Sequence, residues 1–162
     1  IAKGNPQAVI MATLYKPTAE FIQQMRKAGQ VPQFSTLSPI GADLLVAEMG
    51  AKEAHGIGIS QVMPYPWNDT IPAVKEYHKA IQAHAKHGNY SYYGIEGFLN
   101  AKLVADALKK VGKDPTREKL VSTLENGTFD LGGYRVGYSP TSHNGSRFVD
   151  LTVLGRDGRV LR

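Results

Sequence analysis

The chain begins with short apolar runs that alternate with stretches in which apolar residues recur every three or four positions. The runs predict three strands, over residues 7–14, 33–37 and 56–63. The first run is nearly continuous in apolar residues, which is typical of a strand buried on both faces of a parallel sheet. The intervening stretches predict helices that end at Gly29 and Gly50, because glycine is common just beyond a helix. This alternation predicts an α/β fold with right-handed crossovers.

The pattern changes after the third strand. Pro64 and Pro66 fix the backbone and lack an N–H group, so no regular element is expected to run through them. Such a stiff, extended segment is typical of a hinge between two differently built halves, but an ordinary proline-rich loop has the same composition. Apolar periodicity then predicts three further helices, over residues 71–87, 94–111 and 114–126.

The helix over residues 94–111 carries apolar side chains around most of its surface, so we expect it to be largely buried against a sheet. From Phe129 onward the apolar period falls to two, which predicts short strands. The glycine pair at 132–133 and the Asp-Gly pair at 157–158 indicate turns, with a further strand over residues 148–154 between them.

Composition and charge narrow the possible functions. The 162 residues carry a formal net charge of +5, from 19 Lys and Arg against 14 Asp and Glu. These cations are scattered and lack interleaved aromatic residues, so we expect no nucleic-acid partner. No apolar run reaches the length of a membrane span. The chain opens at Ile1 without an initiator methionine, which we interpret as the start of a fragment or of a processed piece.

The sequence offers no motif for covalent or metal chemistry. It contains no cysteine, which excludes thiol nucleophiles and thiolate metal sites. The Gly-x-Gly at 56–58 lies inside a predicted strand rather than at a strand-to-helix turn. His84 and His87 share a helix face, but no acidic residue lies at matching spacing, so we interpret them as exposed residues near a helix end. We therefore predict no enzyme activity, no catalytic residue, no cofactor and no metal.

Candidate ligand contacts follow the first two predicted strands. In open parallel sheets, ligands bind beyond the carboxyl ends of the strands. The first strand leads into Thr13 and Tyr15, and the second leads through Thr36 into Ser38. We expect these two loops to lie side by side and to present hydroxyls, an aromatic ring and helix N–H groups. Alternatively, Ser38 only caps the next helix, with Pro39 in its first turn, and Tyr15 only packs against its own helix.

Several short segments occur in an order that is more specific than any one of them. They are PQAVI at 6–10 with Tyr15 after it, FIQQMRKAG at 21–29, QVMP at 61–64, YGIEGF at 93–98, GKDPTREKL at 112–120, FDLGG at 129–133, HNGS at 143–146 and DG at 157–158. With these segments the chain resembles the C-terminal half of proteins in the branched-chain amino acid (leucine/isoleucine/valine) binding family. These are type I periplasmic binding proteins that serve ABC importers.

The resemblance implies parts of two Rossmann-like lobes, each a three-layer α-β-α arrangement, linked by hinge strands with the ligand in a cleft between them. Residues 1–63 would be part of the second, C-terminal lobe. Residues 64–145 would form a hinge crossing and the helical part of the first lobe, and residues 146–162 a return crossing and a strand of the second lobe. The N-terminal half of such a protein would be missing, so we expect self-association or a companion N-terminal fragment.

The resemblance also bears on the ligand. Tyr15 matches an aromatic residue that contacts the ligand, and Ser38 matches a position where amino-acid binders commonly carry an acid that pairs with the ligand ammonium. Serine cannot supply that charge. An amino acid, a small carboxylate, an aromatic acid and an amide therefore all remain open. Tyr65 and Trp67 either stack on the ligand from the hinge side or pack within the hinge.

The function implied by the resemblance is that of the periplasmic or extracellular solute-binding component of an ABC importer. Its partners would be a small-molecule ligand and a membrane permease. A ligand-sensing domain of a regulator or receptor with the same fold is the alternative, and a fragment of an α/β enzyme is a third class.

Overall fold

The computed structural model describes residues 1–85 and 88–162. The strands are β1 Ala8–Met11, β2 Gln33–Leu37, β3 Gly58–Gln61, β4 Thr128–Asp130, β5 Arg135–Gly137, β6 Asp150–Leu154 and β7 Val160–Leu161. The α-helices are α1 Tyr15–Lys27, α2 Ala42–Met49, α3 Ala51–Ala54, α4 Pro72–His84, α5 Tyr92–Val111 and α6 Arg117–Glu125, and short 3₁₀ helices occur at Ala2–Gly4 and Ser38–Ile40. None of the described helices is long and apolar enough to cross a membrane.

The described residues form two compact units. Unit 1 comprises Ile1–Val62 and Val149–Arg162, and unit 2 comprises Met63–Phe148. The chain therefore passes from one unit to the other twice, at residues 62–63 and at residues 148–149.

Unit 1 is built on a mixed sheet with the strand order β1-β2-β3-β6-β7. β1, β2 and β3 run parallel to one another, whereas β6 is antiparallel to β3 and β7 is antiparallel to β6. The predicted α/β fold is therefore confirmed, and the predicted strand at residues 33–37 has the observed bounds. Buried and more exposed residues alternate along β2; for example, Phe34 is 4% exposed, whereas its neighbour Gln33 is exposed. One face of this sheet thus forms the core of unit 1.

Helices α1 and α2 contribute their apolar stripes to that core. Ile22 and Met25 of α1 are buried, as are Leu45 and Met49 of α2. The predicted ends of both helices are confirmed, since Gly29 has φ 76° and Gly50 has φ 83°, backbone conformations that favour glycine.

The prediction that the first strand is buried on both faces is wrong. β1 is the edge strand of the sheet, and Ile10 is 79% exposed. The strand registers align one row of residues across the sheet: Ile10, Ser35, Gly58, Val153 and Leu161. Ile10, Val153 and Leu161 are exposed, so this face of the sheet is uncovered within unit 1.

Unit 2 packs α4, α5 and the β4–β5 hairpin around a separate core. The buried members of this core are Ala73, Val74, Tyr77, Ile95, Leu99, Leu103, Ala107, Phe129, Leu131, Tyr134 and Val136. Ser91 caps α5 by accepting a hydrogen bond from Gly94 N at 3.0 Å, and Thr116 caps α6 in the same way. The described part of α4 ends at His84, and His87 of the predicted helix lies outside the described residues.

The expectation that the helix at residues 94–111 is largely buried is wrong for unit 2. Only one stripe of α5 is buried, with Ile95, Leu99 and Leu103 spaced by four residues. On the opposite side, Val104 is 46% exposed and Leu108 is 39% exposed. The described residues of unit 2 therefore cover one face of this helix and leave the other open.

Two glycines of α5 should respond oppositely to alanine. A Cβ at Gly94 would lie 3.0 Å from Tyr77 Cζ in the core, whereas a Cβ at Gly97 would meet no atom within 4 Å. We expect Gly94→Ala to lower the free energy of unfolding by about 1–3 kcal/mol through overpacking. Gly97→Ala should raise it by about 0.5–1 kcal/mol, because alanine restricts the unfolded chain and favours the helix. Urea unfolding of both variants tests this, and a change of the same sign in both would contradict it.

Candidate functional site

The carboxyl ends of β1, β2 and β3 meet at one edge of the unit 1 sheet. Met11, the last residue of β1, pairs with Thr36 near the end of β2, and Leu37 pairs with Ser60 near the end of β3. The segments that follow β1 and β2 therefore leave the sheet side by side. This edge is where a ligand of an open parallel sheet binds.

The segment after β1 carries Thr13 and Tyr15. Thr13 is exposed in the short link between β1 and α1. Leu14 is the N-cap residue of α1, with extended backbone, and Tyr15 is the first residue of the helix and is half-buried. Tyr15 therefore stands at the amino end of α1, where the first backbone N–H groups of a helix have no partner within the helix.

The segment after β2 departs from prediction in how its helix begins. Ser38 is not the N-cap of α2; it is the first residue of the 3₁₀ helix Ser38–Ile40, whose N-cap residue is Leu37. Gly41, with φ 68°, is the N-cap residue of α2 instead. The predicted capping role of Ser38 is therefore wrong, because a glycine in the left-handed region turns the chain into the helix. Ser38 itself is half-buried directly after β2.

Thr36 faces the core rather than solvent. Its side chain is 2% exposed, and its Oγ1 donates a hydrogen bond to the carbonyl of Met11 at 3.1 Å. This bond ties the end of β2 to the end of β1, and so fixes the distance between the two links that carry Tyr15 and Ser38.

The two links contain little charge. Residues 12–16 read ATLYK and residues 38–41 read SPIG, so Lys16 is their one charged residue and neither link contains a carboxylate. The first turn of α1 also lacks an acidic residue. Together with the N–H groups at the amino end of α1, Lys16 makes this edge suited to an anion rather than to a cation.

Tyr65 lies in unit 2, in an aromatic cluster with Trp67 and Tyr92. The ring centroids of Tyr65 and Trp67 are 5.0 Å apart, and those of Trp67 and Tyr92 are 6.1 Å apart in an edge-on arrangement. Trp67 is 41% exposed. The cluster thus combines ring packing within unit 2 with an accessible aromatic surface.

The segment that contains Tyr65 is held in place by its own hydrogen bonds. His78 of α4 contacts the carbonyl of Pro66 through Nε2 at 2.7 Å. Asn68 Oδ1 accepts hydrogen bonds from the backbone N and the hydroxyl of Thr70 at 3.2 and 2.6 Å. Because Pro64 and Pro66 are also buried, this segment is an anchored turn rather than a loose loop.

The clearest pKa shifts in the described part of the chain lie in unit 2. Backbone N–H groups of Gly133 and Gly132 lower the pKa of the Asp130 carboxyl, and burial raises the pKa of the Tyr138 hydroxyl. The pKa of the Glu118 carboxyl is lowered by a hydrogen bond from its own backbone. No group of three or more metal-ligating side chains occurs within residues 1–85 and 88–162.

Sequence reasoning assigned no role to Gln61. Its side chain is 1% exposed, and its Nε2 donates a hydrogen bond to Thr152 Oγ1 of β6 at 3.2 Å. The available signal was its position two residues after Ile59 and four after Ile57, which places a polar residue on the buried face of a strand.

Comparisons with known proteins agree over nearly the whole chain. A family model described as a periplasmic binding protein matches residues 1–159. No curated protein matches the chain.

Three solved structures illustrate the likeness. An extracellular ligand-binding receptor from Verminephrobacter eiseniae is 31% identical with a TM-score of 0.83, and the match covers 96% of this chain and 44% of that one. A possible leucine/isoleucine/valine-binding protein from Rhodopirellula baltica is 31% identical with a TM-score of 0.88, and the match covers 97% of this chain and 43% of that one. A substrate-binding periplasmic protein from Ralstonia solanacearum is 32% identical with a TM-score of 0.84, and the match covers 96% of this chain and 45% of that one. The chain therefore spans less than half the length of each of these proteins.

The anchored turn can be tested with Trp67, the single tryptophan of the chain. Asn68→Ala removes the acceptor for both Thr70 bonds, and we expect collisional quenching of Trp67 fluorescence by acrylamide to increase. Asn68→Asp keeps an acceptor at the same place and should leave quenching near its original value. The expected loss of stability in Asn68→Ala is about 1 kcal/mol, the usual contribution of a side-chain hydrogen bond. Equal quenching in all three proteins would show that these bonds do not order the turn.

Proposed function

We propose that this chain, which belongs to the periplasmic binding protein family, acts as the solute-binding component of an ABC importer. The observation that carries this proposal is the family match over residues 1–159, and the confirmed α/β fold agrees with it. Under this proposal the protein performs no covalent chemistry, works in the periplasm and delivers its ligand to a membrane permease.

The two units support an assignment to lobes. Unit 1, with its parallel strands, corresponds to the second lobe, and unit 2 corresponds to the hinge crossing and helical part of the first lobe. The unit boundaries at 62–63 and 148–149 fall within a few residues of the crossings placed at 64 and 146 from the sequence. Val62–Met63 and Phe148–Val149 are then the crossing points.

The unit 1 share of the ligand site consists of Tyr15, Ser38 and Thr13. All three follow neighbouring parallel strands. Thr13 is exposed, and Tyr15 and Ser38 are half-buried, so all three side chains are accessible to solvent. Tyr15 supplies an aromatic face, and Ser38 supplies a hydroxyl directly after β2. Thr36 contributes indirectly, by holding β1 and β2 together through Met11. Tyr65 is the proposed contact of unit 2, through the aromatic cluster with Trp67.

The ligand class follows from charge. The links that carry Tyr15 and Ser38 hold one cation, Lys16, and no carboxylate, so they can neutralise a ligand carboxylate but not an ammonium group. The likeness to the Rhodopirellula protein, described as a possible leucine/isoleucine/valine-binding protein, supports a ligand with a branched aliphatic side chain. We therefore propose a small branched or aromatic carboxylate that lacks the α-ammonium group, ahead of the corresponding amino acid.

Matched ligands test this class directly. Leucine and 4-methylpentanoate share a carbon skeleton and differ only in the ammonium group, as do phenylalanine and 3-phenylpropanoate. We expect each acid to bind more tightly than its amino acid in titrations followed by NMR, which detects affinities as weak as ~1 mM, or about −4 kcal/mol. Binding of neither member of either pair would contradict the proposed site, and tighter binding of the amino acids would overturn the proposed ligand class.

A substitution at Ser38 should reverse the preference for a carboxylate over the corresponding amino acid. Ser38→Asp introduces a carboxylate that can accept a charge-assisted hydrogen bond from an ammonium group, worth about 1.5–3 kcal/mol or roughly 10- to 100-fold in affinity. We expect this variant to gain affinity for leucine and to lose affinity for 4-methylpentanoate. Ser38→Asn has the same shape without the charge and should show no such reversal. A reversal in both variants would mean that the charge at this position does not determine the preference.

We also propose that the chain self-associates or takes up a companion fragment. Ile10 and Leu151 are 79% and 72% exposed on the uncovered face of the unit 1 sheet, and Val104 of α5 is exposed in unit 2. Apolar faces of this kind usually pack against further protein. The related structures are more than twice as long as this chain, which is consistent with such additional packing.

Light scattering tests the self-association. We expect a mass above the 17.6 kDa of one chain, because uncovered apolar strands favour association. Ile10→Lys combined with Leu151→Lys should shift the mass towards the monomer. Val31→Lys is the control, since Val31 is also 79% exposed but lies outside the strands of the sheet. A stable monomer of the unmodified chain would rule out the self-association.

A further inference from the structure

Both passages of the chain between unit 1 and unit 2 leave from one pair of residues. Gln61 is the last residue of β3 and Asp150 is the first residue of β6, and the two are partners in the antiparallel ladder. The first passage, at 62–63, begins directly after Gln61, and the second, at 148–149, ends directly before Asp150. The position of this pair therefore determines where both connections start.

The Gln61–Asp150 pair is fixed from inside unit 1. Gln61 Nε2 donates a hydrogen bond to Thr152 Oγ1 at 3.2 Å, and the same hydroxyl donates to the carbonyl of Ile59 at 3.0 Å. Gln61 and Thr152 are 1% and 5% exposed. The side chains thus link β3 to β6 in the core, in addition to the backbone ladder, within three residues of both passages.

The same pair is also held by an ion pair with the residue that follows β7. Asp150 Oδ2 forms an ion pair with Arg162 Nε at 2.7 Å, and Asp150 Oδ1 accepts a hydrogen bond from the backbone N of Leu151 at 3.0 Å. Arg162 follows β7 directly, so the ion pair ties the start of β6 to the end of the neighbouring strand.

The residues just beyond the pair are more exposed and lie outside regular secondary structure. Val62 and Val149 are 38% and 65% exposed, and neither belongs to a strand or helix. The change from buried or half-buried strand residues to exposed residues outside regular structure takes place over one residue in each passage. Backbone rotation is therefore easiest immediately outside the pair.

Gln61 is also an unusual choice for packing alone. Its Oε1 is buried and has no hydrogen-bond partner among the described residues. Leucine or methionine would fill a similar volume without leaving a polar atom unpaired, and would be equal or better for stability. The amide is informative because it supplies a directional bond to Thr152 that an apolar side chain cannot make.

We propose that Gln61 is a positioning residue which, with Thr152, Asp150 and Arg162, makes the two passages leave unit 1 from one fixed point. This inference rests on the proposed binding function in one respect: a fixed starting point for both connections restricts the opening and closing that accompany ligand capture. Bending is then confined to Val62–Met63 and Phe148–Val149.

The test measures the spread of distances between the units rather than ligand binding. Because the chain contains no cysteine, Lys27→Cys and Lys113→Cys place one spin label on each unit, at exposed positions. We expect the distance distribution from pulsed electron paramagnetic resonance to become about twofold broader in Gln61→Leu/Thr152→Val, because the directional link is lost. The melting temperature should change little, since both partners of the bond are replaced together.

Thr36→Val is the matched control. It also removes a buried threonine hydroxyl that bonds across two strands of the same sheet, but those strands are β1 and β2, so the side-chain link between β3 and β6 stays in place. We expect it to leave the distribution at its original width. Arg162→Gln loosens the pair by removing the ion pair without disturbing the core, so it applies even where the core variant does not fold, and it should also broaden the distribution.

Unchanged width in Gln61→Leu/Thr152→Val, or in Arg162→Gln where the core variant does not fold, would overturn the inference. Equal broadening in Thr36→Val would overturn it as well, since any weakening of the sheet would then suffice. No ligand enters this experiment, so its failure leaves the proposed binding function untouched. Conversely, a chain that binds none of the tested acids can still show the expected broadening.

Discussion

The antiparallel pairing of β3 with β6 is the contact on which the rest of the structure depends. It joins side chains 91 positions apart, Gln61 and Thr152, and returns the end of the chain to a sheet begun by its first 62 residues. Closing a loop of this length is only modestly more costly than closing a short one, because the entropy cost grows with the logarithm of length. Unit 2 is thereby an insertion between two neighbouring strands of unit 1, and the two passages are a direct consequence of this pairing.

The sequence pattern predicted those elements whose local and tertiary requirements agree. β2 was predicted with its observed bounds because Pro32 precedes it and its apolar residues alternate, and α1 and α2 end at glycines that adopt positive φ. Burial was predicted less well. A continuous apolar run such as residues 7–14 shows that a strand can be buried on both faces, but it does not show whether the strand lies at the sheet edge. For β1 and for α5, the covering layer is a property of tertiary structure.

In the candidate site, too, some features were predicted from the sequence and others depend on tertiary structure. The adjacency of the links that carry Tyr15 and Ser38 follows from parallel strands in sequence, and the register Met11–Thr36 agrees with it. The role of Ser38 did not follow, because Ser-Pro is also the usual start of a helix and only the backbone of Gly41 shows that α2 begins later. Gln61 was missed for a related reason: a polar residue on a buried strand face has meaning only once its partner, 91 positions away, is known.

Buried polar side chains occur in unit 1 near the carboxyl ends of its parallel strands. Within the described residues, the buried polar side chains are Thr18, Thr36, Gln61 and Thr152. Thr18 lies in the first turn of α1, Thr36 and Gln61 lie near the carboxyl ends of their strands, and Thr152 lies opposite Ile59. Thr18, Thr36 and Gln61 therefore lie near the edge of the sheet from which the candidate ligand links and the first passage emerge, and Thr152 lies further into the sheet, where it accepts the hydrogen bond from Gln61.

An apolar layer would stabilise this edge more. Thr18 Oγ1 and Gln61 Oε1 are buried and have no hydrogen-bond partner within residues 1–85 and 88–162, and each such atom costs about 1–3 kcal/mol of stability. The buried polar side chains also make hydrogen bonds, from Thr36 to Met11 and from Gln61 to Thr152. The first bond fixes the spacing of two strands near the candidate ligand links, and the second fixes the spacing of two strands near the passages between the units. Directional bonds restrict geometry in a way that apolar contacts do not. The stability given up at this edge is therefore best explained as the consequence of holding the links and the passages in defined positions, which the proposed binding function requires.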